Sequence, residues 1–521
     1  MRIPKRVKGQ SLRDTVAGSQ SFPAPIGGWN ARDSLADMKA TDAITLENWF
    51  PKTSYVEIRG GSLDHATGMT GTAKTLAVYN KFDGTNEMFA TTESGVYDVS
   101  SSGVVGASVA ARTNGKHQWL TFGDGTNQWL IMLNGVDKPL YYDGTTWTAV
   151  DGLSSPALTG ITTTNLVGVT IFKGRLIFIA NNSLSFWYLA SGVAGGLLTE
   201  FSLAGVAQEG GYLMACGSWT IDSGNGPDDR AVFVTSEGEV LVYAGTNPSS
   251  AADWSLIGVY KIGKPLGRRC MSKLSGDLLI LTQNGVFPMS SAIQSAMIDY
   301  KMAVSSKIEN AFNEASRNYG SNFGWKAQLY PTQSALIVNI PIAEDGRHEQ
   351  YVMNTITKSW CKFTDWYAED FAQLDNDLFY ITGTKVVQAW TALNDNGANI
   401  IAYGKCAFNY LGDKVHIKKY KMYKPVFAVS SAFNFLTDID VDYSDRAMTG
   451  SASYSVLNAA TWGSAIWGSD YWVATLEIVQ QWTSPSAYQG RCVAGKVKIE
   501  ANGITVQWVA NDYIYEKGNM L

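Results

Sequence analysis

Between residues 72 and 400 the chain repeats one pattern. An apolar run is followed by a short polar turn, often with glycine, and then by a second apolar or aromatic run. The pattern recurs at 87–101, 129–150, 174–190, 231–245, 277–291, 335–363 and 377–390. Each unit predicts a β-hairpin, because β-branched and aromatic residues suit a pleated, half-buried surface and glycine supplies the turn. Recurrence at roughly 40–50 residues is the spacing of β-propeller blades. A small sheet cannot bury both of its faces alone, so blades stack around an axis and bury one another. Six or seven blades are expected.

Three stretches depart from the pattern. Residues 292–320 lack turn residues until their end, and Ile308, Ala311, Phe312 and Ala315 have helical spacing, which predicts a helical insertion. After residue 400 the alternating runs lengthen, predicting an antiparallel β-sandwich over 401–521. Residues 1–71 read as an extended N-terminal arm, interrupted by Pro23, Pro25 and Pro51 and able to bend at Gly27-Gly28. A short helix from Ser34 to about Trp49 is expected within it, with Asp42 capping a turn and Leu46 and Trp49 sharing a face. The expected fold is therefore all-β: an N-terminal arm, a β-propeller over 72–400 with its helical insertion, and a C-terminal β-sandwich.

Composition agrees with this class. Charged residues are only 17% of the 521, while Gly (51), Trp (17), Tyr (25) and Phe (20) are abundant. A net charge of −5 argues against a surface built to wrap nucleic acid, since that affinity rests on clustered Lys and Arg. A channel that passes DNA without gripping it remains compatible. The five cysteines, Cys216, Cys270, Cys361, Cys406 and Cys492, form no C-x-x-C pair and read as buried reduced thiols. The basic start, MRIPKRVKGQSLRD, is followed by no apolar run, so neither a signal peptide nor a transmembrane helix is expected.

Candidate chemistry is sparse. None of the four histidines, His65, His117, His348 and His416, adjoins a nucleophile elbow. Glu344-Asp345 reads as a hairpin tip. Asp438, Asp440 and Asp442 fall on one strand face, but Tyr443 and Thr449 stand where a calcium loop needs glycine and an acid, so a solvated or interface face is expected. The basic run 414–424 makes Lys414, Lys418, Lys419 and Lys421 candidate contacts for DNA or an acidic partner, set against solvated lysines that block edge pairing. No cofactor and no metal is expected.

The opening segment carries the most specific signal. It holds Gly27, Gly28, Asn30, Arg32 and Asp33, then Asp42, Ala43, Leu46, Asn48, Trp49, Phe50 and Pro51, then Arg59 and Gly61. This succession resembles the N-terminus of the tail hub or nozzle proteins of short-tailed bacteriophages, and residues 408–427 resemble that family's C-terminal region. The resemblance implies a non-enzymatic virion protein, made in the host cytoplasm and built into the tail. It implies a homo-oligomer, a hexameric ring, below an adaptor ring and beside tail fibre or tip proteins. The ring would seal genomic DNA and conduct it without sequence specificity, meeting the host envelope only indirectly. On this reading Trp29, Asn30, Arg32, Asp33, Trp49 and Phe50 are candidate inter-subunit or propeller-docking contacts. The alternative is a carbohydrate-binding or glycoside-cleaving propeller used in receptor recognition, which the aromatic surplus also suits.

Overall fold

The computed structural model describes residues 17–222, 227–274, 276–293, 300–448, 451–454, 476–485 and 489–518. The chain is all-β, and its centre is a seven-bladed propeller. Blade one comprises Thr75–Tyr79, Glu87–Thr92 and Gly95–Asp98. Blade two runs from Gln118–Gly123 to Trp147–Ala149, blade three from Leu166–Phe172 to Thr199–Ser202, and blade four from Leu213–Asp222 to Ser255–Lys261, each four-stranded. Blade five has three strands, Met271–Leu274, Asp277–Thr282 and Gly285–Pro288. Blade six runs from Lys326–Tyr330 to Trp360–Phe363, and blade seven holds Asp370–Leu374, Asp377–Thr382 and Lys385–Ala389. The seven hairpin units of the sequence fall one in each blade. The first strand of every blade touches the first strand of the next, and Asp370–Leu374 touches Thr75–Tyr79, so the ring is closed.

Closure uses the beginning of the chain. Ser62–Thr67 pairs antiparallel with Lys385–Ala389 and becomes the fourth strand of blade seven. One sheet is thus assembled from segments about 320 residues apart. The blades bury whole strands: Ala335–Pro341, mostly apolar, and His348–Asn354, which carries polar side chains, are buried at every position, as expected of sheets covered on both faces.

The C-terminal unit is a sandwich, and the N-terminal segment runs through it. In one sheet Val506–Lys517 pairs with Lys418–Val429 on one side, and with Ala17–Pro23 and Val56–Ile58 on the other. The second sheet is continuous with blade six: Asp42–Glu47 joins Trp360–Phe363 to Ile400–Cys406, followed by Val493–Ala501 and Phe433–Val441. Trp49 stacks obliquely on Trp508 between the sheets, ring centroids 5.7 Å apart. Gly404 lets them close, because a Cβ there would lie 2.7 Å from the Trp508 ring.

Residues 17–67 are accordingly not a free arm but strands of three sheets. The helix expected from Ser34 to Trp49 is absent: 34–41 is turn, and Asp42–Glu47 is a strand. Its i, i+3 apolar pair, Leu46 and Trp49, is divided between two sheets by Asn48, whose φ of 57° breaks the strand. The insertion is partly helical. Glu309–Tyr319 is an α-helix that buries Phe312 and Ala315 against blades five and six, while 294–299 lie outside the described residues. So do the N-terminal basic run and all of 455–475.

Candidate functional site

Two places concentrate buried polar groups. The first is the joint where the opening segment threads between propeller and sandwich. Asn48 saturates its side chain there. Its amide donates to Thr364 Oγ1 and the Ile401 carbonyl, both at 2.8 Å, and its oxygen accepts from Arg59 Nε and the Thr364 amide, both at 2.9 Å. Arg59, buried, forks onto Asp395 at 2.7 and 3.0 Å and lies 4.7 Å from the Trp366 ring centre. Asn30 donates to Asp33 and Asp42 and accepts from the Arg32 and Asp33 amides. Asp42 also holds Lys307 at 2.7 Å, fastening the helical insertion to the opening segment. Arg32 pairs with Asp33 at the surface and, by that hydrogen bond first, holds its carboxyl below the usual range. Gly28 has a φ of 82°, and a Cβ there would strike the Trp360 backbone, so only glycine fits.

The aromatics of this segment point inward. Trp49 and Phe50 are fully buried, Phe50 against Trp390 and Phe363, and half-buried Trp29 packs edge-on against Tyr351 at 5.0 Å. Of the two destinations considered, another subunit or the propeller flank, Trp49 and Phe50 have their whole surface inside their own chain. The exposed members of the motif are Arg32 and, in part, Asp33.

The second place is the propeller mouth where the inner strands begin, which the sequence reading missed. Asp370, fully buried, accepts from the Leu76 amide of blade one at 2.9 Å and pairs with Lys326 at 2.9 Å and Arg269 at 3.0 Å. Arg269 also donates to Thr75 Oγ1 at 2.7 Å and to the His117 carbonyl at 2.9 Å. Its neighbour Arg268 reaches the other way, to the Leu213 carbonyl at 3.1 Å and Asn181 Oδ1 at 3.2 Å. With Asp370–Lys326, this adjacent pair links all seven blades. The signal available in the sequence was "GRRC" (267–270) directly before an inner strand, in a chain poor in charge.

Beside this network, Lys74 pairs with Asp345 and, at 3.4 Å, with buried Glu369, whose pKa burial raises. His117 and His348 are buried nearby, and burial pushes both imidazoles down to about 4, so both are neutral at pH 7. His416 instead pairs with Asp413 at 2.8 Å, and His65 bonds the Val99 carbonyl.

The aspartate strand corrects another expectation. Asp438 and Asp440 are buried rather than solvated, and Asp440 lies 2.8 Å from both Lys405 and Lys496. Among the described residues no His, Cys, Asp and Glu cluster suits a metal ion. The basic run is likewise largely committed. Lys418 is buried, its ammonium donating to the Asp413 and Arg491 carbonyls, and burial lowers its pKa. Lys421 pairs with Glu516 at 3.1 Å, and Lys414 lies 5.2 Å from the Tyr410 ring centre. Only Lys414 and Lys419 of the four are exposed. The five cysteines are free, and four of them are buried.

No protein-family model matches the chain, and no curated protein does. Solved structures, propellers among them, resemble it distantly. BBS1N, in its complex with ARL6DN, is 13% identical over 64% of this chain and 96% of its own, with a TM-score of 0.39. The β-propeller domain of Cps50 (Swd1) from Myceliophteria thermophila is 12% identical over 63% and 99%, also at 0.39. The extracellular domain of the hybrid two-component system BT3049 from B. thetaiotaomicron is 11% identical over 71% of this chain but 43% of its own, at 0.39. The blade count and closure rest on the chain's own hydrogen-bonded topology.

Proposed function

We propose that the chain is a structural subunit of a short-tailed phage tail, one copy of a hexameric nozzle or hub ring through which genomic DNA leaves. The observation that supports this reading most is what the opening motif does. Asn30, Asp42, Asn48, Arg59, Gly28 and the Trp49-Phe50 pair lock propeller to sandwich, a mechanical role suited to a rigid element of a tube. The propeller's own axis is not the conduit. It is crossed by the Arg269–Asp370 network, and the cavity beside that network holds only about 230 Å³. DNA would therefore pass between copies, along the axis of the ring.

Light scattering and negative-stain imaging test this on the purified full-length protein, alone and with the tail adaptor ring. Six-fold rings with an open centre are expected, at the latest once the adaptor is present. A protein that stays monomeric with the adaptor ring overturns the reading.

A further inference from the structure

The mouth of the propeller holds an open-sided cavity of about 230 Å³ lined by His117, Met214, Cys216, Arg268, Arg269 and Lys326 among others. We propose that this cavity is a binding site for a small tetrahedral oxyanion, phosphate or sulfate, held by Arg268 and Arg269 beside His117. The inference goes beyond the tail reading and does not depend on it.

Charge supplies the first argument. Three cations line the cavity, and Asp370 is the carboxylate that answers them. Asp370 is already committed: Oδ1 to Lys326 and the Phe371 amide, Oδ2 to the Leu76 amide and Arg269. Among the described residues Arg268 pairs with no carboxylate. Its bonds go to the Leu213 and Met214 carbonyls and to Asn181 Oδ1, neutral acceptors that leave its charge uncompensated. A surplus of two positive charges in a confined space favours an anion there, because charges interact more strongly where water is scarce.

Unspent hydrogen-bonding capacity supplies the second. Arg269 Nη1 lies 3.0 Å from Asp370 but makes no well-directed hydrogen bond. His117 is 1% exposed, and among the described residues neither ring nitrogen makes a well-directed hydrogen bond, although the Gly115 carbonyl is near enough to act on the imidazole. The nearby Gly115 carbonyl is taken up by the Thr75 and Thr91 hydroxyls, each at 2.7 Å. Buried polar groups without protein partners are rare in folded proteins, and a bound ion is among the ordinary ways of satisfying them. A neutral imidazole keeps one N–H to donate to an oxyanion. Size supplies the third argument: 230 Å³ corresponds to about eight waters at ~30 Å³ each. That suits a hydrated inorganic oxyanion and is too small for a nucleotide. Arg268 is partly exposed, so the site communicates with solvent.

The test is a titration of full-length protein with inorganic phosphate at fixed ionic strength, chloride making up the balance, with sulfate run in parallel. Two readouts are followed: the unfolding temperature, and the NMR signals of the four histidines, with His117 assigned by His117→Gln. For at least one anion, we expect a saturable rise in Tm and a His117 shift with the same midpoint. Arg268→Gln should raise that midpoint roughly tenfold or more, since it removes a charged hydrogen-bond donor. If Arg268→Gln does not fold, the His117 signal of the unaltered protein decides alone. A response that fails to saturate with either anion, or that moves only His65 and His416, overturns the proposal.

Discussion

Arg59 and Asp395, 336 residues apart, meet in a two-pronged ion pair, Nη2 to Oδ2 at 2.7 Å and Nη1 to Oδ1 at 3.0 Å. The pair sits where the opening segment crosses from the sandwich into blade seven, and Asp395 Oδ1 also accepts from the Ser62 hydroxyl at 3.0 Å. The guanidinium is fully buried and lies over Trp366. A buried charge that loses its partner keeps its desolvation cost and loses the attraction that offset it. Asp395→Asn should therefore destabilise the protein by about 3–5 kcal/mol, read as a lower urea midpoint. Arg59→Lys keeps the charge but loses the fork, and should fall between this variant and the wild type. A midpoint unchanged in Asp395→Asn would show that the joint does not hold the fold together.

The second prediction concerns the start of the chain. As an extended arm, residues 1–60 would be dispensable for folding, and their removal would leave a folded monomer. The strands that this segment forms predict the opposite outcome. Deleting 1–67 removes the closing strand of blade seven, the strand that splices blade six to the sandwich, and the buried side chains Leu46, Trp49, Phe50 and Val56. Each such side chain is worth about 1.5–3 kcal/mol on burial, so their sum rivals the roughly 5–15 kcal/mol that holds a typical domain together. The truncated chain should show no cooperative thermal transition by circular dichroism. A truncated protein that melts as sharply and as high as the full chain would refute this.

The contrast marks what the sequence discloses. Hairpins such as 129–150 and 231–245 were legible because partner strands are neighbours in the chain and a glycine or polar turn lies between them. Pairings across about 300 residues leave no periodic trace. Nothing local says that Ser62–Thr67 belongs beside Lys385–Ala389, or that Asp42–Glu47 is a strand. Leu46 and Trp49 fit a helix as well as two separate strands, and tertiary pairing together with the turn at Asn48 decides between them. At the propeller mouth, the Arg268-Arg269 pair, Lys326 and Asp370 come from three different blades. Only the adjacent arginines left a mark in the sequence, whereas the opening segment was legible as a motif but not as a joint.

Stability should fall in mild acid. His117 and His348 have folded pKa values near 4, against about 6.5 when unfolded. Below pH 6.5 the unfolded chain takes up protons that the folded chain refuses, so their contribution is complete above about 6.5 and is lost as pH falls from there toward 4. Between about pH 7.5 and 5 each histidine should cost about 2 kcal/mol. Urea unfolding of His117→Gln should show a smaller drop over that interval than the wild type, by about that amount. Parallel pH profiles for the two proteins would rule out a titrating His117.

The last prediction separates the lysines of the basic run by burial. Lys418 donates to two backbone carbonyls in the interior, so its charge serves the loop at Asp413 and is unavailable to a polyanion. Lys421 is matched by Glu516. Lys414 and Lys419 remain exposed and able to meet a phosphate backbone. Each phosphate that a lysine neutralises contributes about 0.9 to the slope of log affinity against log salt for duplex DNA. If the strand and the turn before it touch duplex DNA through both residues, the double variant Lys414→Gln, Lys419→Gln should make that slope shallower by about 1.8. Lys418→Met should leave the slope unchanged while lowering the urea midpoint, because it strands the Asp413 and Arg491 carbonyls. Fluorescence anisotropy with a labelled duplex across a salt series reads the slope, and urea unfolding reads the midpoint. A slope that responds to Lys418→Met and not to the surface pair would mean that the strand opens to bind, and the buried lysine would then be the residue that meets the phosphate.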